Sequence, residues 1–326
     1  MLNLITIGDV VIDTHVQIDD NNSDCELKEK DFCLTYGAKI PILNSFQSLG
    51  GNAANVAIGA VKMGMSSSIV TTLGADANGE MARQELQKHG VNPDLISYDK
   101  KSKTRYSIVL NYKQDRTILS YSDKKKYAWP DSLSSADWIY YTAHGDGFEN
   151  LQTTFLKYLT DHPTVRLAFN PGSYMLKYAA DSLKEIIKRT DVLIVNLEEA
   201  LRILGSSFSE EKNVPAVIHG LIGLGAKEVA LTDAERGAWA GNADEIWHVD
   251  CYPVSVLSKT GAGDAFSAGY LAAHFYGHDI PHSLEWGIAN SAGVIQKHGP
   301  HEGLLDKNGI KKMMASHASI KPKRLF

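Results

Sequence analysis

Lys259-Thr260-Gly261-Ala262-Gly263-Asp264-Ala265-Phe266 sets a glycine loop directly before a carboxylate. The following run, Ser267-Ala268-Gly269-Tyr270-Leu271-Ala272-Ala273-His274-Phe275, is small, apolar and free of proline, and reads as a buried helix. Before the loop, Tyr252-Pro253-Val254-Ser255-Val256-Leu257 reads as a short extended segment. A glycine loop that opens a helix gathers N–H groups with no internal partner at the positive end of the helix dipole. Such an end binds anions, phosphate above all, and glycine lets backbone approach the anion with no Cβ in the way. Asp264 is at odds with this, because it adds negative charge where an anion should sit. Two readings stand on this stretch alone. Asp264 is a first-turn carboxylate that caps the helix, or it is a general base beside a phosphate that takes the proton of an attacking hydroxyl.

The chain outside this stretch reads as α/β. Leu2-Asn3-Leu4-Ile5-Thr6-Ile7, stopped by Gly8-Asp9, is a buried strand and the expected start of a parallel sheet. Val10-Val11-Ile12 leads on to Asp13, where a carboxylate at the end of an early strand faces the ligand side of an α/β sheet, or simply makes a turn. Residues 14–49 differ in texture. Thr14 to Ile18 alternates with the strand period, as do Phe32, Leu34, Tyr36, Ile40 and Ile42, which predicts short strands forming an edge lobe or lid. Gly50-Gly51-Asn52-Ala53-Ala54-Asn55-Val56-Ala57 opens a helix that stops at Gly64. Its glycines and its two asparagines at helical spacing suit a polar ligand, and taken alone suit a helix cap with tight packing better still. Next come a strand at Ser68–Leu73 and a helix over 78–89. Arg105–Leu110 and Thr117–Tyr121 then form a β-pair across Lys113-Gln114-Asp115 that can join the inserted strands. From 137 onward, strands at Asp137–Thr142, Val165–Phe169, Asp191–Val195 and Glu228–Thr232 alternate with helices, the mark of a parallel sheet covered on both faces. Trp239-Ala240 and Ile246-Trp247-His248 form a β-pair, and the tail Lys321-Pro322-Lys323-Arg324 is expected to fray.

Composition excludes several classes of function. The net charge of −5 argues against a nucleic-acid partner, and Lys124-Lys125-Lys126, the one dense basic run, suits a solvated loop. Cys25, Cys33 and Cys251 form no CxxC pattern, which fits a reducing compartment. No leader pattern and no bilayer-length apolar run is present, so a cytoplasmic location without a membrane partner is expected.

The pairing of Gly50-Gly51-Asn52-Ala53-Ala54-Asn55 with Thr260-Gly261-Ala262-Gly263-Asp264-Ala265-Phe266 resembles the ribokinase-like family of small-molecule kinases, also called the PfkB family. The resemblance extends over nearly the whole chain and takes in Gly8-Asp9 with Asp13, Thr232-Asp233 with Gly237, and Asn196 with Glu199. It implies a doubly wound, mostly parallel α/β domain (residues 1–13, 50–102 and 122–326) with a small β-sheet lid (14–49 and 103–121). It implies ATP-dependent phosphorylation of a hydroxymethyl group on a sugar or, as the alternative, a nucleoside. It also implies a homodimer formed through the lid. Asp264 then matches the catalytic base, and the Gly261-Ala262-Gly263 backbone matches the anion hole. Asp13, Gly50, Gly51, Asn52 and Asn55 match substrate contacts. Asn196, Thr232, Asp233, Gly237, Thr260 and Asn290 match the nucleotide side, which Asn170 can also line. Glu199 matches a position near Mg²⁺, reached through water. In one place the chain departs from the pattern. Where many relatives carry an aspartate that helps hold a monovalent cation, usually K⁺, this chain has Ser258, so that site should be weaker, and Lys259 can supply positive potential in its stead. Neither a Walker-type P-loop nor a Rossmann G-x-G-x-x-G after the first strand is present. The rival from another class is a catalytically silent ligand-binding regulator on the same scaffold, against which the intact glycine loop and Asp264 argue.

Overall fold

A computed structural model of the chain describes all residues except 1, 2, 30, 114, 132, 134, 135, 179 and 206–212. The head of the first expected strand (Leu2) and Gln114 in the expected β-turn therefore lie outside the described residues. The chain opens with β1 (Asn3–Ile7), β2 (Val11–Ile18), β3 (Cys25–Lys28), β4 (Asp31–Leu34) and β5 (Ile42–Gly50). There follow α1 (Asn52–Lys62), β6 (Ser66–Gly74), α2 (Ala77–Lys88), β7 (Ile96–Asp99), β8 (Arg105–Tyr112) and β9 (Asp115–Tyr121). The alternating part comprises β10 (Trp138–Tyr141), α3 (Glu149–Asp161), β11 (Arg166–Phe169), α4 (Ser173–Tyr178), α5 (Ala180–Arg189), β12 (Val192–Asn196), α6 (Leu197–Leu204) and α7 (Val214–Gly223). The chain closes with β13 (Glu228–Thr232), β14 (Ala238–Gly241), β15 (Ile246–Val249), α8 (Ala262–Phe275), α9 (Ile280–Ile295), α10 (Lys307–Ser316) and β16 (Lys323–Arg324).

Ten strands form one sheet in the order β16-β15-β14-β13-β12-β11-β10-β1-β6-β7. It is parallel from β13 to β7 and antiparallel from β13 to β16. Side-chain alternation feeds two cores. Ile5, Ile139, Tyr141, Leu193 and Val195 pack with α3, α5, α6 and α7 on one face. Leu4, Trp138, Tyr140, Val192 and Ile194 pack with α1, α8, α9 and α10 on the other. Strands buried on both faces read as near-continuous apolar runs, as in β10 and β12, while β1 and β6 also bury hydroxyl side chains such as Thr6 and Thr71. The chain proceeds from β1 outward to β6 and β7, then returns to β10 on the other side of β1 and proceeds the opposite way. The crevice beyond the carboxyl ends of β1 and β10 is thus the topological switch point where open α/β sheets bind ligands.

A second sheet, in the order β5-β2-β8-β9, stands on that edge, with the β3–β4 hairpin beside it. The antiparallel partners β5 and β9 flank the parallel β2–β8 pair. Asp13 therefore sits inside β2 of this smaller sheet and not at the end of a core strand. The reason is that β2 leaves β1 after only Gly8-Asp9-Val10 and pairs at once with β5. Two other expectations are corrected, one around Phe32–Ile42 and one in the tail. The alternation around Phe32–Ile42 is broken, because β4 ends at Leu34 and the longer strand β5 begins at Ile42. The segment Tyr252–Leu257 pairs into no sheet; Leu257 and Ser258 both donate to the Ile295 carbonyl at 2.8 and 3.2 Å. The tail does not fray, since Lys323–Arg324 extend the sheet beside β15 and Leu325 N donates to Ile246 O at 2.8 Å.

Candidate active site

Gly261 caps α8 in the left-handed conformation with φ 79°, and a Cβ there would lie 2.6 Å from the Pro300 side chain. At Gly263 a Cβ would meet nothing within 4 Å, so the first turn of the helix faces open space. Asp264 does not cap this helix, which has no side-chain cap. Its Oδ2 accepts from Asn55 Nδ2 at 2.7 Å, a contact between the first turns of α8 and α1. The two helices can cross this closely because their facing residues are small: a Cβ at Gly59 would be only 2.6 Å from that of Ala268. Burial pushes the Asp264 carboxyl up to about 6, and the Asn55 bond opposes that shift. The group is thus a carboxylate at neutral pH with a raised appetite for a proton, as a general base requires.

The substrate-side residues converge on the same place. Gly51 caps α1 with φ 98°, and a Cβ there would lie 2.5 Å from the Asp9 carbonyl oxygen. Gly50 abuts Asp13, whose Oδ2 would be 2.4 Å from a Cβ at that position. Burial raises the Asp13 carboxyl, while a hydrogen bond from Ser107 and the charges of His15 and Arg105 lower it. The Asn52 amide donates to Asn170 Oδ1 at 3.0 Å. Asn170 also accepts from Thr142 Oγ1 at 3.2 Å and donates to Ile194 O at 2.8 Å, which makes it a joint between strands more than a nucleotide contact.

On the other side of the α8 loop, Asn196 and Glu199 form a capping box at the start of α6: Glu199 N donates to Asn196 Oδ1 at 2.8 Å and Asn196 N to Glu199 Oε2 at 3.1 Å. Burial first, with Asp264 adding to it, pushes the Glu199 carboxyl up to about 7. A cation nearby would restore its charge. Thr232 ends β13, and the turn that follows closes through Asp233 N to Gly237 O at 3.0 Å and an Asp233–Arg236 ion pair. Lys259 reaches this turn, its ammonium 3.5 Å from Glu235, so the turn lies beside the glycine loop. That side chain is 65% exposed and pairs with Glu235. Ser258 Oγ accepts from Thr260 N at 3.2 Å. Asn290 is corrected. It is fully buried, accepts from Leu305 N at 2.9 Å and donates to Ala265 O at 2.8 Å, so its amide joins α9 to α8 and to the segment at Leu305 and is not on an open surface.

Sequence reasoning missed two features. At the switch point the buried Asp9 carboxylate takes Tyr127 OH at 2.7 Å, Gly145 N at 2.9 Å and Arg105 at 3.4 Å, tying β1, the segment after β10 and the lid together. His301 Nε2 lies 2.8 Å from Asn55 Oδ1. Tyr127 and His301 lie in irregular segments with no periodicity or motif to mark them.

The sequence pattern of the pfkB family carbohydrate kinases matches residues 15–307. This chain belongs to that family. It is a phosphotransferase that acts on a hydroxyl group. It is 24% identical to the ATP-dependent 6-phosphofructokinase of Thermoanaerobacterium thermosaccharolyticum, over 95% of this chain and 93% of that protein. It is also 24% identical to the nucleoside kinase of Methanocaldococcus jannaschii, over 85% of this chain and 89% of that one. Among solved structures, the fold resembles Arabidopsis thaliana ribokinase complexed with ribose and ATP, with TM-score 0.78, 20% identity and coverage of 96% and 99% of the two chains. These relatives act on unlike acceptors.

Proposed function

We propose that this pfkB-family kinase uses ATP and Mg²⁺ to phosphorylate a hydroxymethyl group of a sugar or sugar-like substrate, a nucleoside being the second reading. The observation that carries the proposal is Asp264 held by Asn55 at the open N-terminus of α8. That end offers N–H groups to a transferring phosphoryl group and a base to the attacking hydroxyl within one helical turn. The nucleotide fits the residues present: the space at Gly263 is open, and the turn at Thr232, Asp233 and Gly237 lies beside the loop. Thr260 would line that loop. Asn196 and Glu199 would face the phosphates, with Glu199 reaching Mg²⁺ through water. When bound, ATP supplies the phosphoryl group and Mg²⁺ offsets its charge. Asp13, with Gly50, Gly51, Asn52 and Asn55, would hold the hydroxyls of the acceptor, for which carboxylate and amide groups are suitable partners.

The chain divides in this reading into a core and a lid, with Val11–Asp13 and Gly50 on the lid side because β2 and β5 hold them, and with dimerisation through the lid and action in the cytoplasm. Among the described residues no helix is long and apolar enough to cross a membrane. The test is ADP release by purified protein given ATP, Mg²⁺ and a panel of sugars and nucleosides. Turnover with a sugar supports the proposal, and turnover with nucleosides alone supports the second reading. Saturable ligand binding with no ADP release by any member would show a silent regulator instead.

A further inference from the structure

The contacts that hold Asp264 do not end at Asn55. Asn55 is only 7% exposed, and its Oδ1 lies 2.8 Å from His301 Nε2. An amide oxygen can only accept, so the imidazole must carry its proton on Nε2. The segment that carries His301 is pinned on both sides. Pro300 packs against left-handed Gly261, and Leu305 N donates to Asn290, whose amide in turn donates to Ala265 of α8. We propose that His301 is a positioning residue for phosphoryl transfer: by donating to Asn55 Oδ1 it holds the NH₂ end of that amide on Asp264 and so fixes the orientation of the base. This rests on the reading of Asp264 as the base.

Without the imidazole, a buried carbonyl loses its donor and the amide is free to rotate, with a cost on the order of one hydrogen bond. Burial first, and the neighbouring His89 ring at 5.3 Å second, push His301 down to about 4, so it stays neutral in the working range and does not titrate with the base. Among the described residues, Glu199 and the buried Tyr140 act on or near Asp264, and on the His301 side lies His89, itself near Glu85 (3.9 Å), Glu302, Lys62 and Lys88.

Three variants test the assignment. His301→Ala removes the donor, His301→Gln restores an N–H near the Nε2 position, and His301→Glu replaces a donor with an acceptor. Two readouts are used: kcat against pH, and the Asp264 carboxyl titration by ¹³C NMR without substrate, assigned by difference from Asp264→Asn. We expect H301A to lose about tenfold in kcat with little change in the KM for ATP and to move both the acid limb and the NMR titration upward. H301E should move both further, and H301Q should resemble wild type. An unmoved NMR titration in H301A and H301E overturns the proposal, as does H301Q behaving like H301A when both melt at the wild-type temperature. If the titration moves as expected while even the wild-type protein transfers no phosphoryl group, the kinase reading fails and the positioning of Asp264 by His301 stands.

Discussion

At the scale of single residues, Asp264 sets function against stability. Its folded carboxyl titrates at about 6 against an ordinary 3.8, so the native state binds the proton more tightly than the unfolded chain. That contribution is complete below 3.8 and is lost as pH rises through 6. Asp264→Asn keeps an acceptor for the Asn55 amide but carries no charge. It should lower kcat by at least ~10²-fold with nucleotide affinity kept, and it should melt above wild type at pH 8, the gap closing toward pH 4. A variant with more than a third of the wild-type kcat, measured in a coupled assay, would remove Asp264 from the role. In the wild-type enzyme kcat should fall as pH drops through about 6. Ser258 allows a second test. Its hydroxyl carries no charge to offset a cation and already accepts from Thr260 N, while Lys259 is drawn to Glu235. Activity should therefore depend little on K⁺. An activation above about tenfold over tetramethylammonium at equal ionic strength, worth about 1.4 kcal/mol of barrier, would contradict this.

At the scale of elements, the two glycines of the α8 loop have different work, and substitution separates them. Gly261 has positive φ and would meet Pro300, so Gly261→Ala should cost at least about 1–2 kcal/mol of stability along with activity. Gly263 is inside the first helical turn with open space at its Cβ. Gly263→Ala should raise stability by roughly 0.5–1 kcal/mol yet lower kcat by about 10–10²-fold, because under the proposed function the new methyl group would stand where the phosphoryl group approaches. Urea midpoints and kcat of the two variants check both signs. These helix starts were legible in the sequence because glycine and asparagine placement is a local signal. The core strands were legible because continuous apolar runs between helices have few other uses. What the sequence did not reveal was set by distant partners. Asn290 has the same identity whether it faces a nucleotide or the Leu305 amide, and only the packing of α9 on α8 decides. His301 contacts a residue 246 positions away. The C-terminal strand depends on the free edge of β15, which local composition does not show.

At the scale of the whole molecule, the described residues leave apolar side chains of the lid about half exposed. Phe46, His15, Val109 and Ile118 are register partners across β5, β2, β8 and β9, so one row crosses the small sheet on the face it shares with Asp13 and Ser107, buried at His15 and Val109 and open at its two ends. His15 stacks on Phe46 at 4.5 Å, yet Phe46 remains 45% and Ile118 51% exposed. Burying such a row is favourable by roughly 25 cal/mol per Å², and the unpaired edges of β5 and β9 add backbone groups in search of partners. The same row on a second copy is self-complementary under two-fold symmetry. The protein should therefore sediment as a dimer at micromolar concentration. Phe46→Glu with Ile118→Glu should make it monomeric while leaving its helical content unchanged. Since the row continues toward Asp13, the monomer should bind its acceptor more weakly while its nucleotide affinity holds. Wild-type protein that sediments only as monomer would refute the interface, and a monomeric variant with unaltered acceptor KM would separate dimerisation from the acceptor site.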